Sequence, residues 1–133
     1  ARQPLLALRR TQRICDAVAE LRADLVCLQE HFFEPEHQKL YQHFADAEGY
    51  SYLYLQRSGW NSAGPSQDGV AILVKKATLE VEQRHDVHFQ TYDIPQDRVA
   101  MLLRLRAKDG PLAVMCTHLT FPHHHYDERS REA

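Results

Sequence analysis

Leu25-Val26-Cys27-Leu28 is an unbroken apolar run, preceded by Ala23-Asp24 and closed by Gln29-Glu30. It is the right length for a strand and too short for a buried helix. A run without alternation suits a strand covered on both faces. The carboxylate that follows it belongs to a sheet rim, where α/β proteins tend to hold ligands. A hard divalent cation requires such an anionic oxygen, and Mg²⁺ is often satisfied by one or two carboxylates with water and substrate phosphate. The plainer reading is that Glu30 marks the point where a strand meets solvent.

The segments around this run set the fold class. Leu5 to Leu21 has Ile14, Ala17, Val18 and Leu21 at helical spacing, with Arg9, Arg10, Arg13, Asp16 and Glu20 for the wet side. Glu34-Pro35-Glu36 starts a second helix, because proline suits a first turn and acidic residues suit that end. Leu40, Phe44 and Ala47 are its expected inner face, and Gly49 its stop. Tyr50 to Leu55 alternates and is β-prone. Arg57 to Gln67 is a loop, marked by Ser58-Gly59, Asn61, Gly64-Pro65 and Ser66. Gly69 to Val74 is a second continuous apolar strand. Leu79 to Phe89 reads as an edge strand or a loop. Gln96 to Arg106 is a strand, buried at Val99 to Leu103. Lys108-Asp109-Gly110-Pro111 then turns it back into an antiparallel partner, Leu112 to Leu119. A doubly wound parallel sheet would place a helix between most strands. The short turns here indicate an α/β (α+β) chain with a mixed sheet and helices to one side.

The 133 residues suffice for one domain with a core. A net charge of -2 implies no general attraction to nucleic acid or anionic membrane, although cationic groups can still gather locally. Three cysteines, Cys15, Cys27 and Cys116, are an odd number. Cys27 and Cys116 lie in apolar runs and read as reduced core residues. No apolar segment is long enough to span a membrane, and no secretory pattern opens the chain, so an intracellular, cytoplasmic monomer is expected. The chain begins at Ala1, not Met, and Arg131-Glu132-Ala133 reads as the inside of a helix, so a piece of a longer domain is expected.

A second polar signal closes a strand at Thr117-His118-Leu119. An imidazole there could hold a phosphate oxygen, or could simply satisfy a neighbouring backbone group. Taken together, Leu25 to Glu30, Asp68 to Leu73, Asp97-Arg98-Val99-Ala100 and Cys116 to Leu119 resemble the endonuclease/exonuclease/phosphatase (deoxyribonuclease I-like) superfamily. The flavour is that of a plant and algal subgroup in which EF-hands accompany the phosphodiesterase-like domain. Phe121-Pro122-His123 and a downstream Arg131 extend the likeness. No EF-hand loop occurs in this sequence.

The resemblance implies a four-layer αββα sandwich of two mixed β-sheets, of which residues 1–133 would be the N-terminal part. It implies a phosphoester hydrolase: a phosphodiesterase, phosphatase or nuclease-like enzyme acting on nucleic acid, nucleotide, phospholipid or inositol phosphate. Glu30 matches the residue that binds Mg²⁺ (or Mn²⁺), and His118 the residue beside the scissile phosphate. His123, Arg131 and Asn61 are the candidate substrate contacts. The family's opening strand with its Asn, its Asp-x-Asn and its final Ser-Asp-His have no counterpart here, so the segment alone is expected to be inactive. Two rivals stand beside this reading. One is a binding or scaffold domain that keeps the fold without the chemistry. The other is a zinc module built on His118, His123, His124 and His125, against which stands the difficulty of converging adjacent histidines on one ion.

Overall fold

The structure, a computed structural model, describes residues 4–57, 68–92 and 98–119. The chain runs α1 (Pro4–Leu21), β1 (Leu25–Phe32), α2 (Pro35–Glu48), β2 (Tyr50–Gln56), β3 (Asp68–Lys75), β4 (Leu79–His88), a short 3-10 turn (Phe89–Tyr92), β5 (Val99–Ala107) and β6 (Gly110–Thr117). The strands form two three-stranded sheets, ordered β1-β3-β2 and β4-β5-β6. Every described pairing is antiparallel, where a mixed sheet was expected.

The layering follows from side-chain alternation along β3. Val70, Ile72 and Val74 pack between the sheets with Val99, Met101, Leu103, Leu105 and Cys116. Leu73, on the opposite face, joins Val18 of α1, Ala45 of α2 and Tyr50. The described residues thus form three of the layers of an αββα sandwich: helices, sheet, sheet. Residues Gly69 to Val74 are all buried, as a central strand with both faces covered should be. Each fully buried aliphatic side chain here contributes about 2 kcal/mol of transfer free energy.

Three sequence expectations change. Among the described residues β1 lies at the edge of its sheet; its run is half-covered and Cys27 is exposed, and only Cys116 of that pair is a buried core residue. The inner stripe of α1 is Thr11, Cys15 and Val18, while Leu21 and Ala17 face out. The inner stripe of α2 is His37, Tyr41 and Ala45, and Ala47 is exposed. Polar residues enter these stripes because they satisfy one another: the Thr11 hydroxyl and His37 Nδ1 share a buried 2.7 Å hydrogen bond.

Local chemistry explains the element ends. Gly49 ends α2 in the left-handed region at φ 77°, its N–H bonded to Ala45 O. Arg22 does the same for α1 at φ 52°, donating its N–H to Val18 O and Ala19 O. Leu79 to His88 is one of the two edge strands of the second sheet among the described residues, its mixed pattern matching its exposure. His85, Asp86 and His88 are exposed on it, with Asp86 held by Arg84 at 2.8 Å.

Candidate functional site

β1 and β6 end at one rim of the sandwich. The Gln29 side-chain amide donates to Thr117 O at 3.3 Å, and the Cys116 thiol reaches Leu28 O at 3.6 Å. The residues that follow are Glu30, still within β1, which runs on to Phe32, and His118, just past the end of β6. Glu30 is exposed and His118 half-buried.

Glu30 has an unusual backbone. The β1–β3 register steps from Gln29↔Val70 to His31↔Gly69, so Glu30 is the extra residue of a β-bulge. Its φ is 52°, a left-handed conformation that a residue with a Cβ adopts at a cost. Bulges re-aim side chains, and this one has two effects. It frees the Glu30 carboxylate from the ladder. It also turns His31 onto the helix side, where a strict alternation would have pointed it between the sheets.

His31 is 3% exposed and packs edge-on against Tyr41, Tyr52 and Phe33. Its Nε2 is hydrogen-bonded to the Tyr52 hydroxyl, and its Nδ1 finds no partner among the described residues. Burial, with a smaller push from His37, lowers its pKa to about 4, so it is a neutral imidazole at neutral pH. Burial raises the Tyr41 phenol to about 12 and raises Tyr52 as well. Of this cluster, His31 and Tyr41 line a cavity of about 440 Å³ between α1, α2 and the end of β1, to which Arg10, Thr11 and Glu30 also contribute.

His118 faces a different hollow. With Arg57, Asp68, Gly69, Val70 and Val99 it lines a small cleft between the two sheets. Arg57 Nε and Nη2 both donate to Asp68 Oδ1, at 2.8 and 2.5 Å, and the Arg57 N–H donates to Asp68 O at 3.0 Å. The pair ties together the ends of β2 and β3 beside His118. Gly69 is required there for another reason: a Cβ would lie 2.1 Å from Leu55 O. Glu30 and His118 thus each follow one of two residues in contact, Gln29 and Thr117, while their side chains line two different hollows.

Asn61, His123 and Arg131, with His124 and His125, lie outside the described residues. Sequence reasoning did not single out Arg57 or His31. Opposite charges bracketing a Gly/Pro/Ser-rich stretch were the available signal for the Arg57–Asp68 pair. His31 had none, because a bulge cannot be read from alternation.

A model of the Endonuclease/Exonuclease/phosphatase family matches residues 2–133. The chain belongs to that family. Carbon catabolite repressor protein 4 homolog 4 of Arabidopsis thaliana is 31% identical over 80 residues, covering 60% of this chain and 18% of that protein. ANGEL2, a 2′,3′-cyclic phosphatase solved with adenosine-2′,3′-vanadate, is 28% identical with a TM-score of 0.74; the match covers 91% of this chain and 35% of ANGEL2. The human Nocturnin catalytic domain with bound sulfate is 20% identical with a TM-score of 0.70, over 92% of this chain and 46% of that one. At that identity the likeness is one of fold. This member of the endonuclease/exonuclease/phosphatase family therefore spans less than a fifth of the plant protein and about a third of ANGEL2.

Metal capacity can be judged from the donors. Among the described residues, no three of His, Cys, Asp or Glu gather into a group that could hold an ion. The Glu30 carboxylate alone is an exposed hard oxygen donor, which fits a cation that keeps most of its water. It does not fit a four-coordinate zinc site. No helix among the described residues is long and apolar enough to cross a membrane.

Proposed function

We propose that the complete protein is a Mg²⁺- or Mn²⁺-dependent phosphoester hydrolase whose reaction centre is the rim carrying Glu30 and His118. The observation that carries this reading is the contact between Gln29 Nε2 and Thr117 O, which holds the two strand ends together. Family membership and the likeness to ANGEL2, a 2′,3′-cyclic phosphatase, support the reaction class.

Glu30 would hold the cation through its carboxylate. The chemistry such a cation supplies when bound is polarisation of a phosphoryl oxygen and balance of leaving-group charge. His118 hydrogen-bonds a phosphoryl oxygen and strengthens that bond as charge grows in the transition state. A water attacks in line. Arg57, held by Asp68, keeps the ends of β2 and β3 in place behind His118. The substrate class is a phosphoester of nucleic acid, nucleotide, phospholipid or inositol phosphate. Asn61, His123 and Arg131 are proposed as its further contacts. Residues beyond the third of ANGEL2 matched here are taken to complete the centre, so the 133-residue segment alone turns over little or nothing. The kinship with EF-hand-associated plant and algal members belongs to the same proposal, as does a monomeric state in the cytoplasm.

The test is hydrolysis of bis(p-nitrophenyl) phosphate by the full-length protein with Mg²⁺, Mn²⁺ or chelator, beside Glu30→Gln and His118→Ala. The proposal expects losses of about 10²-fold or more in kcat for each variant. Equal rates in wild type and Glu30→Gln would overturn the metal assignment. A folded, full-length protein without Mg²⁺- or Mn²⁺-dependent turnover would favour a binding domain instead.

A further inference from the structure

Beneath the rim, the two sheets bring a pair of cysteines together. Cys27 lies on the face of β1 that bears Leu25, which packs into the core between the sheets. Cys116 lies on the inward face of β6 and is buried in that same core. The Cys116 thiol reaches across to β1, to Leu28 O at 3.6 Å, and to Ala71 O of β3 at 3.9 Å. Cys27 is the residue before Leu28, so the two thiols lie across one gap from each other, and each shifts the other's pKa. Cys15, the remaining cysteine, is buried between α1 and the first sheet and takes no part. Facing sheets ordinarily stand about 10 Å apart, too far for a disulfide. Here residues of β1 and β6 approach to within 8 Å between Cα atoms.

We propose that Cys27 and Cys116 form a redox-modifiable dithiol, oxidised by a small-molecule disulfide of the glutathione class to a covalent link between the two sheets. Cys27 is exposed and Cys116 buried, which assigns their order of reaction. The Cys27 thiolate attacks one sulfur of the disulfide, forming a mixed disulfide and releasing one thiol. Cys116 loses its proton to solvent and attacks the Cys27 sulfur, releasing the second thiol. The two cysteines lose two electrons and two protons, and the oxidant is reduced to two thiols. Burial raises both thiols above their ordinary value, Cys116 to about 12, so thiolate is scarce at neutral pH and the exchange is slow. The link joins the strands just before Gln29 and Thr117. It would fix the rim whether or not that rim is catalytic.

The experiment equilibrates the folded chain with oxidised and reduced glutathione at graded ratios, quenches with acid, alkylates free thiols and maps the peptides. Expected is a link between the Cys27 and Cys116 peptides, with Cys15 alkylated, the mass of two hydrogens lost and a Tm several degrees higher. Cys116→Ser should stop at a glutathione adduct on Cys27. Cys15→Ser should link as wild type does. A Cys27–Cys116 link in the folded wild type upholds the proposal even if a serine variant fails to fold. Cys27 and Cys116 both alkylated at the most oxidising ratio would overturn it, as would a link that includes Cys15 or a stable glutathione adduct on Cys27 of the wild type.

Discussion

Glu30 occupies a left-handed backbone conformation, and the bulge it creates is what turns its neighbour His31 into the aromatic cluster beneath the helices. The same inserted residue thus serves two faces of β1. It presents a carboxylate at the rim and buries an imidazole behind it. Strained positions of this kind cluster where geometry is needed for function.

The strain at Glu30 should be separable from its chemistry. Glycine adopts φ 52° without a Cβ penalty, so Glu30→Gly should stabilise the chain by up to about 1 kcal/mol. The same change in the full-length protein should abolish metal-dependent hydrolysis. Urea midpoints and turnover, measured side by side, would show stability and activity moving in opposite directions.

Gly69 should tolerate no side chain. Its missing Cβ would sit 2.1 Å from Leu55 O and 2.9 Å from the Gln56 Cα, both backbone atoms that cannot swing aside. Gly69→Ala should cost about 3 kcal/mol by forcing β2 and β3 apart. Chemical denaturation reads the loss directly.

Arg57 and Asp68 should behave as one unit. Both side chains are mostly buried, at 22% and 17% exposure. Arg57→Ala strands the mostly buried Asp68 carboxylate and should cost about 2 kcal/mol, and Asp68→Asn, which removes the same pair, should also destabilise. The double variant should cost clearly less than the sum, and a double-mutant cycle in urea would expose that coupling.

Acid should weaken the fold through His31. Unfolded, this imidazole titrates at its ordinary 6.5; folded, burial holds it near 4. The unfolded chain therefore takes up the proton first as pH falls. The stability contributed by the neutral, buried ring is complete above pH 6.5, declines as pH drops towards 4, and levels off below that at a loss of about 3 kcal/mol. His31→Leu should flatten this part of the stability profile. Thermal melts of the two chains from pH 7 to pH 4 provide the comparison.

Much of the scaffold is written in local pattern. The runs Leu25–Leu28 and Gly69–Val74, the Pro35 start and Gly49 stop of α2, and the turn at Lys108-Asp109-Gly110-Pro111 all lie where local chemistry puts them. Hydrophobic periodicity and turn residues act over a few residues, so a sequence displays them directly. The likeness to the family could be read because its short motifs occur in order. Tertiary structure alone decided which face each element buries. His37 and Tyr41 displaced Leu40 and Ala47 from the inner stripe of α2, because Thr11 of α1 completes the His37 hydrogen bond. Cys27 is exposed although Leu25, on the same face of β1, packs into the core. The rim itself is a long-range fact. Gln29 and Thr117 meet only after two sheets stack, and the Glu30 bulge is set by pairing with β3, which no alternation within β1 can encode.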